Sequence, residues 1–107
     1  MALLGLSKTK KIMAKIYLGQ NWRIICDTQE DQSTSTDRKI FVKDCDGNIS
    51  EFAASLDGDP NRIYYDVATT EMTKAGDWLI WPKTTIAGNV APGEPATVMI
   101  YEEGSLD

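Results

Sequence analysis

The chain is expected to fold as an all-β protein, an antiparallel β-sandwich of about seven strands. Three observations point there. Short runs of alternating apolar and polar residues recur along most of its 107 residues. Clusters of Gly, Pro, Asp and Asn separate those runs. No stretch carries the 3.6-residue periodicity of a long helix.

The stretch from Thr70 to Ile86 organises the rest. Thr70 to Gly76 is polar and reads as one tight, near-helical turn closed by a glycine able to take positive φ. A strand follows at once, with Trp78, Ile80, Pro82, Thr84 and Ile86 on one face. Pro82 cannot donate to a ladder, which implies an edge position or a bulge there.

The other strands follow in order. Residues 12–18 form the first, ended by Gly19, Gln20 and Asn21. Residues 22–28 form the second, with Trp22, Ile24 and Cys26 on one face, and residues 29–37 are a polar loop. Residues 38–44 and 48–56 flank Asp44-Cys45-Asp46-Gly47. A two-residue loop at Asp46-Gly47 would set Ile40 opposite Ala53. A type I turn with Gly47 as left-handed bulge residue sets Ile40 opposite Phe52 instead. The second register is preferred because it gathers Ile40, Val42, Phe52, Ala54 and Leu56 on one face. Residues 62–67 form a strand in which Ile63, Tyr65 and Val67 alternate with Tyr64 and Asp66. Residues 88–95 are a turn-rich connection, and residues 96–102 the last strand.

Residues 1–11 read as an N-terminal arm, residues 12–104 as the sandwich and residues 105–107 as a tail. The arm's Leu3, Leu4 and Leu6 have few neighbours of their own to bury against, so a neighbouring subunit is their expected support. Its apolar patch precedes Lys8, Lys10 and Lys11, the reverse of a secretion signal. No stretch approaches the roughly 20 apolar residues of a membrane helix.

Composition removes several functions. The net charge is −5, which disfavours nucleic-acid binding. Histidine is absent, and with it the commonest general base and metal ligand. No nucleophile has a histidine base, no acid sits in an apolar stretch, and no glycine-rich phosphate loop occurs, so the chain is expected not to be an enzyme and to need no cofactor. Asp44, Asp46 and Asn48, and Asp57 and Asp59, have a calcium-loop look, but such residues serve tight turns for backbone reasons, and no metal site is expected. Cys26 and Cys45 read as free thiols of a reducing cytoplasm, a bridge between them being the alternative.

Trp22 and Trp78 fall on apolar faces and belong to the core. Trp81 has the opposite parity, beside Lys83 and Thr85, and is expected to point outward. An outward Trp suits a protein interface. The rival is a carbohydrate- or receptor-binding module using Trp81, Tyr64 and loop acids.

Several features together carry a resemblance: the Lys-Ile-Tyr-Leu-Gly opening at 15–19, the Ile-Phe-Val-Lys-Asp-Cys-Asp-Gly-Asn hairpin at 40–48, Phe52 and Ile63-Tyr64-Tyr65. The Thr-x-x-x-Ala-Gly-x-Trp corner and the final Ala-Thr-Val-Met-Ile-Tyr-Glu strand complete it. Over roughly residues 14–102 the chain resembles small immunoglobulin-like structural proteins of tailed bacteriophages, similar to the N-terminal domain of phage baseplate upper proteins. The resemblance implies a non-catalytic virion subunit in many symmetric copies, in the tail, the baseplate or as a head decoration. Its partners would be other virion proteins, met through Leu3, Leu4, Leu6, Lys8, Lys10, Lys11 and Trp81. The long C-terminal region of a baseplate upper protein has no counterpart here.

Overall fold

The computed structural model describes the backbone of residues 2–6 and, in full, residues 16–102. Ten strands run through them: β1 (Ala2–Leu6), β2 (Ile16–Tyr17), β3 (Trp22–Asp27), β4 (Thr36–Lys43) and β5 (Ile49–Ala53). Then come β6 (Ser55–Leu56), β7 (Arg62–Val67), β8 (Gly76–Ile86), β9 (Asn89–Pro92) and β10 (Ala96–Tyr101). No helix occurs among the described residues. The strands form two sheets, one in the order β1-β3-β7-β6 and one in the order β2-β10-β8-β4-β5, with β9 also on β8.

Period-two patterning decides which residues are inside. In β3, Trp22, Ile24 and Cys26 are buried between half-buried neighbours, and in β10, Ala96, Val98 and Ile100 alternate with Thr97, Met99 and Tyr101. In β8, Trp78, Ile80, Pro82 and Thr84 are buried while Leu79, Trp81 and Thr85 are half-buried and Lys83 is exposed. Both sheets send residues into one cluster that includes Ile24, Ile63 and Val67 from one and Ile40, Trp78 and Ile80 from the other. Phe52 of β5 stacks on Tyr65 of β7 with ring centroids 4.4 Å apart, an aromatic bridge from sheet to sheet.

The hairpin register follows the apolar pattern. Ile40 faces Phe52, Gly47 has φ 88°, and the Gly47 N–H donates to the Asp44 carbonyl at 3.1 Å. That is the type I turn with a left-handed glycine.

Five expectations are corrected. The sheets are not wholly antiparallel: β1 pairs in parallel with β3, and β2 with β10. Residues 48–56 are not one strand. The Ala54 N–H donates to the Arg38 carbonyl, and the chain then crosses to the other sheet, where Ser55 and Leu56 face Tyr64 and Ile63. Leu56 therefore lies on a different sheet from Ile40.

The connection at 88–95 contains β9, which returns along β8 after a two-residue turn with Ala87 and Gly88 both at positive φ. With β1 and the split at Ala54, this makes ten strands where about seven are expected.

The corner at 70–76 is not helical. Glu71 N–H donates to the Ala68 carbonyl in a turn, and Met72 takes φ 50°, which interrupts any helix and sends its side chain into the core. The Glu71 carboxylate accepts from the Ala68 N–H and from the Tyr65 hydroxyl, closing the end of β7. The Trp78 indole N–H donates to the Lys74 carbonyl at 2.9 Å, fixing the indole under the corner. Gly76 does take positive φ, at 117°.

The leader, finally, does not stand clear of its own domain. Ala2–Leu6 lies along Trp22–Cys26 in register, as an outer strand of the four-stranded sheet.

Pro82 resolves into a bulge. β8 is a central strand, between β4 on one side and β9 and β10 on the other. The pairing Lys83–Pro92 and the pairing Ile80–Ala96 differ by one extra residue on the returning side. The Pro82 carbonyl accepts from the Gly93 N–H at 2.8 Å, so the edge of Pro82 that lacks an N–H faces the bulge, where no ladder bond is forfeited.

Candidate functional site: an aromatic and basic sheet face

The outer face of the larger sheet is built from the odd-numbered residues of β4 and β8. Lys39 lies opposite Lys83, Phe41 opposite Trp81, and Lys43 opposite Leu79. The Phe41 and Trp81 rings stack at 5.6 Å with 9° between their planes, and the Lys83 ammonium sits 5.5 Å from the Phe41 ring centre. Such contacts hold both rings in fixed orientations and lower the entropy lost when a partner covers them. Lys39 is engaged by Glu51 at 3.5 Å and Asp37 at 3.6 Å. Beside the stack is a shallow groove of ≈ 340 Å³, lined by Lys43, Ile49, Leu79, Trp81, Pro92 and Pro95. Ile49 at its rim is 57% exposed, and Met99 on β10 is 38% exposed. Exposed apolar side chains around a rigid aromatic pair are the makings of a docking surface.

Trp81 is thus half-buried and outward, as its parity requires. Phe41, Leu79 and Lys83 belong to the same surface, and sequence reading passed over them as site residues. Their signal was the same parity, but which strand lies beside β8 is a matter of topology. Tyr64 does not join Trp81. It lies on β7 of the smaller sheet, with the Arg23 guanidinium 4.2 Å from its ring centre and Arg23 paired to Asp66. Leu3, Leu4 and Leu6 are placed by backbone on β1, and Lys8, Lys10 and Lys11 lie outside the described residues.

The acidic turn is filled from within. Asp44 Oδ1 accepts from the backbone N–H groups of Asp46 and Asn48, and Lys74 Nζ lies 3.2 Å from Asp44 and 2.9 Å from Asp46. An ammonium already occupies the place between the carboxylates. At the second turn, Asp59 accepts from the Asn61 N–H and faces Arg62. Among the described residues, no group of three or more Asp, Glu, Cys or His side chains is placed to hold a metal ion.

Burial alone would raise the Asp44 carboxyl, but the hydrogen bonds from Asn48 and Asp46 and the Lys74 ammonium outweigh it and hold it at about 2. A depressed acid stabilises the fold above its unfolded value, about 4, and that contribution shrinks below it and is lost as pH falls through the folded value. Asp44→Asn is therefore expected to be less stable than the parent chain in urea titrations at pH ~6, with most of that gap gone by pH ~2 and the rest closing below it. A gap that persists unchanged at the acid end would contradict the assignment.

A second concavity of ≈ 170 Å³ lies where the 28–35 loop meets the β8–β9 hairpin, lined by residues including Cys26, Thr28, Gln32, Thr84 and Glu94. Gln32 is buried and donates to the Thr28 hydroxyl at 2.7 Å, while Ser35 and Arg38 both donate to its backbone carbonyl. These bonds wire the loop. Cys26 contributes no reactive thiol, since burial pushes it up to about 12. Neither cysteine is bridged.

No family model matches the chain, and no curated protein matches it in sequence. Among solved structures, the chain is similar to the N-terminal domain of phage TP901-1 ORF48. The TM-score is 0.57 and the identity 12%, with 95% of this chain and 97% of that chain covered. The likeness is one of fold, and it spans nearly the whole of both chains.

Proposed function

We propose that this chain is an immunoglobulin-like structural protein of a phage virion, without catalytic activity or cofactor, that docks to neighbouring virion proteins in multiple copies. The strand order supports the fold reading. On this reading β2-β10-β8-β4-β5 takes the place of the A′-G-F-C-C′ sheet of an immunoglobulin-like domain and β3-β7-β6 that of B-E-D, with the parallel strand β1 outside the scheme. The shared fold with a phage protein domain supports the setting. The single observation that carries the docking is the Phe41–Trp81 stack, held rigid on the outer face and flanked by the groove. The proposal places the protein in the tail, the baseplate or a head decoration, assembled in the host bacterial cytoplasm, with no direct contact to nucleic acid or membrane.

The test is particle occupancy. Trp81→Ala removes an aromatic anchor of the kind worth about 2 kcal/mol or more at an interface, roughly a thirtyfold loss of affinity. Quantitative mass spectrometry of purified particles is expected to show that loss, while the isolated chain still unfolds cooperatively in urea, destabilised by about 0.5–1.5 kcal/mol for the lost aromatic pair. Normal occupancy together with lost binding on a glycan array would replace this reading with a carbohydrate- or receptor-binding module.

A further inference from the structure

The N-terminal strand is attached in an unusual way. β1 is hydrogen-bonded to β3 alone among the described strands, and the pairing is parallel, from Ala2 opposite Trp22 to Leu6 opposite Cys26. Parallel neighbours cannot be joined by a tight hairpin. Here the chain leaves β1, passes through residues 7–15 and reaches β2, which belongs to the other sheet. β1 is therefore tied to the strand it pairs with only through a long detour. Nine residues span up to about 30 Å when extended, comparable with the width of a small domain.

From this arrangement we propose that β1 is exchanged between copies, each chain laying Ala2–Leu6 along β3 of a second copy. The backbone bonds along Trp22–Cys26 are the same whichever chain supplies the strand, so closed and exchanged forms differ mainly in tether entropy and local concentration. Exchange of an identical element is a low-cost route to assembly. When copies are held side by side, effective concentrations reach the millimolar range and the exchanged form gains. The β3 edge also needs a cover. Without β1, Trp22-Arg23-Ile24-Ile25-Cys26 is an unpaired edge rich in apolar residues, a template for uncontrolled pairing. A strand that always covers that edge, its own or a neighbour's, links assembly to protection. The inference deepens the docking reading and rests on the protein occurring in multiple copies.

Opposed cysteines test it. Gly5 lies opposite Ile25, and Ile25 is half-buried on the outer side of β3. Two chains, one carrying Gly5→Cys and one Ile25→Cys, both with Cys45→Ser, are unfolded, mixed, refolded together at high concentration and oxidised. Exchange predicts a disulfide-linked heterodimer on a non-reducing gel. Adding Leu4→Pro, which removes a strand N–H, is expected to abolish most of it. The unaltered chain refolded across a concentration series is expected to show a dimer or higher species by light scattering. Self-closure of the Gly5→Cys/Ile25→Cys double variant with no cross-chain product in the mixture would overturn the inference, as would an unaltered chain that stays monomeric throughout. A Trp81→Ala chain that enters particles normally, with exchange still seen, removes only the sheet-face docking. A chain that enters particles but never exchanges removes only the strand exchange.

Discussion

Replacing Trp78 by alanine is expected to destabilise the fold by about 3–5 kcal/mol, enough to consume much of the net stability of a domain this size. Trp78 is 6% exposed and sits on β8, the strand that both flanks of the larger sheet share. Its ring fills the core beneath the corner, and its indole N–H anchors the Lys74 carbonyl. Truncation therefore opens a cavity and frees the corner at once. Trp78→Phe separates the two effects. It keeps most of the apolar volume and loses the hydrogen bond, for an expected cost of about 1–2 kcal/mol. Urea unfolding followed by circular dichroism reads both values. A Trp78→Ala chain within about 1 kcal/mol of the parent, well short of what a core truncation of this size costs, would show that the corner does not organise the core.

The second large effect is steric. A Cβ placed on Gly93 would lie 2.6 Å from Cγ and 3.0 Å from Cδ of Pro82. The Pro82 ring is closed and packed into the core face, so it cannot swing aside as a long side chain would. Gly93→Ala must push the bulge away from β8 and strain the bond from the Gly93 N–H to the Pro82 carbonyl. The expected cost is about 1–3 kcal/mol, the usual range for overpacking. Pro82→Ala removes both clashing atoms. The double variant is expected to recover most of what Gly93→Ala loses, giving a coupling of about 1 kcal/mol or more between the sites. Strict additivity of the two substitutions would refute the clash as the cause.

These two residues also show how sequence and structure divide the work. The alternation in β3, β8 and β10 is written in the chain, because a strand's side chains change face at every residue and the apolar set can satisfy only one face. The same logic selected the Ile40–Phe52 register and the left-handed Gly47, and it turned Trp81 outward. Pro82 announced an irregularity through its missing N–H. That the irregularity is a bulge on a central strand was not legible, because it depends on Gly93 returning from a distant turn. Gly93 itself looked like one more turn glycine. The crowding at its position is set by a ring eleven residues away in sequence.

The sequence by itself determined the buried faces of β3, β8 and β10, the all-β character, the hairpin at Gly47 and the outward course of Trp81, since each follows from period-two patterning and local turn chemistry. Only the tertiary structure decided the partners. It placed Phe41 under Trp81, separated Tyr64 onto the other sheet, broke residues 48–56 at Ala54 and laid Ala2–Leu6 along β3. The physical reason is common to all four. A strand's own pattern states which face it buries but not which edge it pairs, because backbone hydrogen bonds are the same for every neighbour.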